Sequence, residues 1–469
     1  MRATAEASRA ERHAARVAPD GALHVVAPDG APRSAFLVAA VLAGIVGALS
    51  LSCASPDLSV QVLPTGNVKP PATLGFNPEE ALGRGEYLEL ETLFRSMSSA
   101  DLDSNPGYLA AFGKALLARG DIDGALPLLN RAIEKESRPI RRGELEWALA
   151  QAYIFWDEPE LALEFAQAAR NDGYGLLPGY LNFLEAIRNL PLYAGPAAGE
   201  THGGEFSMQG FDLIRLPVDV NGFDSAAIFD TGAAYTIVGQ SFAKSVGVRE
   251  IPDSQAFGRG LHTKEFPLTF GVIDRLEFAG FAVQNVPVML MPDDALLFET
   301  SRGAFPVPMV LGLHLIKQFR VGLDYAARRL SLTRVDFRGA QRDSTQNLFV
   351  ARGRLFARTS INRYGWYEML LDTGSEPTML TSTGVVRAKL SASGKFYPKT
   401  LHGLGKSQAA WSRVDGVTIG LSDFAVRFPN VVVKEDDGAL EDGILGNSFF
   451  QNFRVSLDFR AMRLSLEHP

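Results

Sequence analysis

The stretch AAIFDTGAAYTIV at residues 226–238 is answered by EMLLDTGSEPTML at residues 368–380. Each is an apolar run that ends in Asp-Thr-Gly, passes through one small residue and returns to apolar sequence. The pattern predicts a strand, a tight carboxylate-bearing turn and a second strand. Glycine third in each turn, Gly232 and Gly374, lets the backbone bend tightly and approach the carboxylates. Two copies in matching contexts point to one site built from two carboxylates, Asp230 and Asp372.

Working outward, the two copies prove to lie in tandem repeats. VLGLHLIKQFRVGLDYAARRLSL (310–332) and ILGNSFFQNFRVSLDFRAMRLSL (444–466) align without a gap. Each half therefore runs strand, Asp-Thr-Gly turn, further strands, apolar-apolar-Gly, short helix and final hairpin. Around these anchors, short strand-like runs alternate with Gly, Asp and Pro turns from about residue 205 to the end. The reading is all-β, in two lobes of 205–340 and 341–469.

These features resemble the retropepsin-type aspartic proteases, whose units carry an apolar run into Asp-Thr-Gly, a glycine-rich flap and an apolar-apolar-Gly segment before a helix. The resemblance covers a little over half of the chain. It implies a single-chain pseudo-dimer that hydrolyses peptide bonds with water activated between Asp230 and Asp372, without cofactor or metal. Two close carboxylates share a proton, so one accepts a proton from water while the other hydrogen-bonds the carbonyl oxygen. The resemblance also implies that Thr231 and Thr373 cross-link the two loops. Ala233 and Ser375 follow as small residues, and the Ser375 hydroxyl could reach its carboxylate. Leu311-Gly312 and Leu445-Gly446 should pack against the aspartate loops. Flap candidates are Gly258 and Gly260 in the first half and Gly403 and Gly405 in the second.

Upstream, residues 75–190 change to helical periodicity. GYLAAFGKALLARGDIDGALPLLNRAIEKESRP places Gly113, Gly120, Ala125 and Ala132 where two helices could approach closely. LEWALAQAYIFWDEPELALEFAQAAR repeats the plan with Ala150, Tyr153, Ala162 and Ala169. The pair resembles tetratricopeptide repeats with imperfect register, which implies an array that holds a protein partner or substrate. Residues 54–74 and 191–204 read as linkers. Residues 1–34 show no core pattern and are expected to be disordered.

Residues 35–53 contain a charge-free run from Ala35 to Leu51, preceded by Arg33. That suits a signal-peptide apolar region or a short membrane span. The run ends LSLSC, which resembles a bacterial lipoprotein cleavage box, although Ser50 and Leu51 depart from it. Cys53 is therefore a lipidation candidate, with a retained span as the alternative. Either way the expected location is the bacterial cell envelope, with the chain tethered to the membrane and facing the periplasm or exterior.

Composition narrows the rest. With 46 Lys plus Arg against 53 Asp plus Glu, the net charge is −7 and no basic run stands out, which argues against nucleic acid. One cysteine excludes an intrachain disulfide, and the seven His show no ligand spacing. The expected partner is a protein or peptide substrate, handled by a monomeric protease unit. The competing reading is a peptide-binding or scaffold module of the envelope that keeps the fold with little hydrolysis.

Overall fold

The computed structural model describes residues 59–62, 77–208, 213–259, 265–300, 303–336, 345–396, 411–434 and 441–468. The predicted anchor, Cys53 and the flap glycines Gly260, Gly403 and Gly405 lie outside these residues. Among the described residues, no helix is long and apolar enough to cross a membrane.

Eight helices come first: α1 (Pro78–Gly83), α2 (Tyr87–Ser96), α3 (Ser99–Ser104), α4 (Pro106–Ala118), α5 (Ile122–Lys135), α6 (Pro139–Phe155), α7 (Pro159–Asn171) and α8 (Pro178–Ile187). Five begin with proline, whose fixed φ and missing N–H suit a first helical turn. Asn77 and Asn105 cap α1 and α4 by accepting the N–H groups of Glu79 and Gly107. The helices α4 and α5 pack as a hairpin, as do α6 and α7. Gly113 is what lets the first hairpin close: a Cβ there would lie 2.5 Å from Leu129 Cγ. Gly120 serves differently from the expected packing role. It has φ +77° and closes the end of α4, with its N–H on the Leu117 carbonyl.

The remainder is β-rich and forms two lobes. In lobe 1, an eight-stranded sheet includes the strands Phe223–Phe229, Met309–Leu311 and Thr236–Gly239 side by side. Lobe 2 repeats the arrangement with Tyr364–Leu371, Gly443–Leu445 and Met379–Thr381. In both, the middle strand runs parallel to the one entering the aspartate and antiparallel to the one leaving it. Leu311 pairs with Phe229 and Leu445 with Leu371, so the register is the same twice.

A five-stranded sheet joins the lobes, in the order Thr201–Glu205, Arg329–Arg334, Phe319–Asp324, Arg454–Asp458, Arg463–Glu467. At its centre Gly322 pairs with Ser456, flanked by Val321 with Leu457 and Leu323 with Val455. Residue 310 aligns with 444, an offset of 134, and this register maps onto itself under that exchange. The rim ion pairs do so as well: Arg320 to Asp458 at 2.8 Å and Arg454 to Asp324 at 3.0 Å.

Both linker expectations need correcting. Ser59–Val62 is an edge strand on Phe424–Lys434 of lobe 2, because alternating apolar residues there find an open strand edge. In 191–204, Tyr193 is buried and Thr201 begins the outer strand of the joining sheet, so this segment is packed rather than free.

Candidate active site

Each Asp-Thr-Gly turn is built at the end of an apolar strand, where the chain leaves the sheet with its polar groups unpaired. The Asp230 N–H donates to the Leu311 carbonyl at 3.0 Å, and the Asp372 N–H to the Leu445 carbonyl at 3.0 Å. Gly232 N–H donates to Asp230 Oδ1 at 2.7 Å, and Gly374 N–H to Asp372 Oδ1 at 2.9 Å. Each carboxylate is thereby held by its own loop.

The loops then interlock. Thr231 N–H donates to Thr373 Oγ1, and Thr373 N–H to Thr231 Oγ1, both at 3.1 Å. The Thr231 hydroxyl donates onward to the Leu371 carbonyl, and the Thr373 hydroxyl to the Phe229 carbonyl, both at 2.8 Å. Each threonine thus donates into the opposite lobe and accepts from it. The glycines are as tightly placed: a Cβ on Gly232 would sit 2.5 Å from Asp372 Cγ, and one on Gly374 2.3 Å from Asp230 Cγ. The expected threonine cross-link is therefore present, and the two carboxylates lie next to one another.

Asp230 and Asp372 are fully buried. Burial first, and then the charge of Asp372, pushes the Asp230 carboxyl well above the ordinary aspartate range. Asp372 is raised to about 6, again chiefly by burial. The hydrogen bond from Asp230, then the backbone N–H groups of Gly374 and Ser375 and the charge of Arg354, pull against that rise. The pair therefore holds a proton well above the pH at which a solvated aspartate loses one.

The apolar-apolar-Gly segments pack where expected. A Cβ on Gly312 would meet the Tyr235 carbonyl oxygen at 2.2 Å, and one on Gly446 the Pro377 carbonyl oxygen at 2.3 Å. After each glycine a short helix, Leu313–Ile316 or Asn447–Phe450, returns N–H groups to the aspartate loop: Leu313 to the Ala233 carbonyl and Asn447 to the Ser375 carbonyl. Ser375 is a correction. Its hydroxyl donates to the Pro377 carbonyl at 3.0 Å, an acceptor that the turn brings within its reach. Gly258 lies in the strand Ala256–Arg259, paired with Phe266 of Glu265–Phe278.

The second tier of support was not visible in the sequence. In lobe 1, Tyr235 stacks on His314 with ring centres 4.5 Å apart, and its hydroxyl lies 3.2 Å from that of Tyr180 in α8. Lys317, fully buried, pairs at 2.7 Å with Asp157 at the end of α6. In lobe 2, the Tyr87 hydroxyl of α2 donates to Glu368 Oε1 at 2.5 Å. Glu368 in turn receives the Asp442 N–H on its carbonyl, and its own N–H donates to Asp442 Oδ2 at 2.8 Å. Burial raises Asp442 to about 6 even though Arg387 pairs with it. The only local hints were a charge inside an apolar run, at Glu368 and at Lys317. Their partners lie far off in sequence.

Residues 216–315 and 359–449 match the aspartyl protease family. These two stretches take in both Asp-Thr-Gly turns and both apolar-apolar-Gly segments. A curated relative, DNA damage-inducible protein 1 of Chaetomium globosum, is 26% identical over 126 residues, which is 26% of this chain and 26% of that one. The chain thus spans about a quarter of that relative's length. A solved retropepsin-like aspartic protease from Rickettsia conorii is 14% identical, covering 30% of this chain and 97% of its own, with a TM-score of 0.22. The duplicated turns and the two matched stretches make the β-rich part of this chain similar to the aspartyl proteases.

Proposed function

We propose that the chain is an aspartic endopeptidase acting as a single-chain pseudo-dimer, with Asp230 and Asp372 as its shared catalytic pair. The observation that carries this reading is the reciprocal interlock of Thr231 and Thr373, which sets two buried carboxyls side by side. In such a pair the ionised member takes a proton from water as the water attacks the peptide carbonyl. The protonated member donates a hydrogen bond to the carbonyl oxygen and stabilises the tetrahedral intermediate. The proton then passes to the leaving nitrogen, and the pair returns to its starting state. The hydrogen bond from Asp230, the two backbone N–H groups and the charge of Arg354 favour ionisation at Asp372, so Asp372 is the base in this proposal. The macroscopic values still belong to the pair.

The helices bring a protein substrate to the lobes and brace both of them through Asp157–Lys317 and Tyr87–Glu368. The charge-free run at 35–51 supports a tether at the cell envelope. The purified full chain should cut a mixed library of unstructured peptides at internal bonds and be blocked by a statine-type peptide. Mass spectra that show no internal cleavage, or only trimming from an end, would remove the endopeptidase reading.

A further inference from the structure

Among the described residues, seven large apolar side chains are exposed, and three of them, Val62, Phe223 and Tyr364, mark one end of the lobes. Tyr364 follows the two-residue turn Asn362-Arg363, at φ +51° and +66°, in the hairpin that joins Arg354–Ile361 to Tyr364–Leu371. Phe223 follows the matching turn Asn221-Gly222, at φ +52° and +90°, between Arg215–Val220 and Phe223–Phe229. The strand after each turn leads to an aspartate, from Phe223 to Asp230 and from Tyr364 to Asp372. Each tip is therefore about 25 Å from its aspartate along the strand. The lobes are twofold mates through the joining sheet and the threonine bonds, so the two tips stand level at the end remote from the carboxyl pair.

The chain enters at this same end. Val62 closes the edge strand Ser59–Val62, in which Ser59 pairs with Arg427. Arg427 pairs with Thr418, and Thr418 exchanges two hydrogen bonds with Asn362 of the hairpin turn. Ser59 thus lies three strand spacings, about 14 Å, from the turn that carries Tyr364. Only residues 52–58 separate Ser59 from the charge-free run that ends at Leu51. A segment of that length reaches at most about 25 Å. A tether in the run holds this end of lobe 2 next to the lipid. Charges here are mixed, with Arg363 and Arg427 set against Asp224 and Asp423, all exposed, so the surface offers apolar tips rather than a net field. Exposed aromatic and apolar tips at one level are what a lipid interface takes in.

We propose that this end of the lobes is a lipid-contacting surface, with Val62, Phe223 and Tyr364 set into the bilayer interface and the aspartate pair held away from it. The proposal rests on the envelope tether and fixes how the tethered chain stands. It also names the substrate: a protein segment that stands clear of the lipid, since the bond to be cut lies up to about 25 Å above it. Segments that span the bilayer stay out of reach.

The full chain with Asp230→Asn, reconstituted with phosphatidylcholine vesicles, reads the orientation without any cleavage. It should float with the vesicles. The photo-cross-linker p-benzoylphenylalanine, placed in turn at positions 62, 223 and 364, should form lipid adducts about tenfold or more above those from positions 140 and 386. All five sites are exposed, so the fold bears the exchange. If the edge strand fails with the label at 62, positions 223 and 364 decide. Flotation with adducts no stronger at 223 and 364 than at 140 and 386 would overturn the proposal and leave the tether standing. A chain that stays behind when the vesicles float would overturn both. With the active chain, an unfolded polypeptide fixed to lipid at one end should be cut about eight or more residues from the lipid, and cuts within about four residues of it would contradict the orientation. Adducts as expected without any cuts would remove the endopeptidase reading alone.

Discussion

In lobe 1 the loop after Asp230 ends at Tyr235, buried against His314 and Tyr180; in lobe 2 the same place holds Pro377, half-buried and without aromatic cover. Behind the next glycine, lobe 1 has the buried Lys317 under α6, whereas lobe 2 has Gln451 exposed. Below the aspartates the imbalance reverses. Lobe 2 carries the buried pair Glu368 and Asp442 reached by α2, whereas lobe 1 has Ala226 and Pro308. Between these unlike supports the Asp-Thr-Gly turns are near copies, bond for bond. Duplication has been kept where two carboxyls must meet, and relaxed where each lobe leans on the helices. The helices press on lobe 1 beside the aspartate loop and on lobe 2 at the strand that leads to it.

This contrast can be broken in steps. Gly232→Ala and Gly374→Ala should have the largest effect and be about equally severe, since each places a Cβ on the opposite carboxylate. Cleavage should fall about a thousandfold in both, because a displaced pair loses its alignment. A mild outcome on one side only would show that the turns are not equivalent. The supports should differ sharply. Asp157→Ala removes the carboxylate paired with the fully buried Lys317 and should cost about 3–5 kcal/mol in denaturant unfolding. At the matching place in lobe 2, Gln451→Ala should stay within about 0.5 kcal/mol.

The threonines test symmetry again at smaller scale. Thr231→Val and Thr373→Val each remove one donor to a carbonyl and one acceptor for an N–H, both buried. Each should cost about 1–3 kcal/mol, with the double variant less than additive because one network is cut twice. The smallest step concerns charge. Asp372 is raised in the folded chain to about 6, above its unfolded value near 3.8, so stability is full at low pH and is lost as pH rises through about 6. Asp372→Asn should therefore melt above wild type at pH 7 and lose that lead near pH 4, read by calorimetry at both.

Much of this is legible in the sequence. The repeated turns, the shared module at 310–332 and 444–466, the all-β reading and the helical stretch all follow from local periodicity, which short-range backbone physics enforces. The threonine cross-link followed from resemblance. What stayed hidden depends on contacts between distant segments. Ser59–Val62 looked like spacer because an edge strand needs a partner, Phe424–Lys434, that lies hundreds of residues later. Sequence alone lets the Ser375 hydroxyl reach its carboxylate; only the folded turn shows that it donates to the Pro377 carbonyl. Glu368 and Lys317 each put a charge beside an apolar run, and the partners that hold them, Tyr87 and Asp157, lie far off in sequence.

The shared carboxyl pair is tested most directly by the pH dependence of kcat/KM on an unfolded polypeptide, measured for the full chain and for Asp230→Asn and Asp372→Asn. Burial raises both carboxyls, with Asp372 at about 6 and Asp230 well above the ordinary range. The wild-type rate should therefore rise through about pH 6 as the pair loses its first proton, and fall on the alkaline side as it loses the second. Both variants should lie about a thousandfold or more below it at every pH. A wild-type rate flat from pH 5 to pH 8, or either variant cleaving at the wild-type rate, would contradict a proton shared between Asp230 and Asp372.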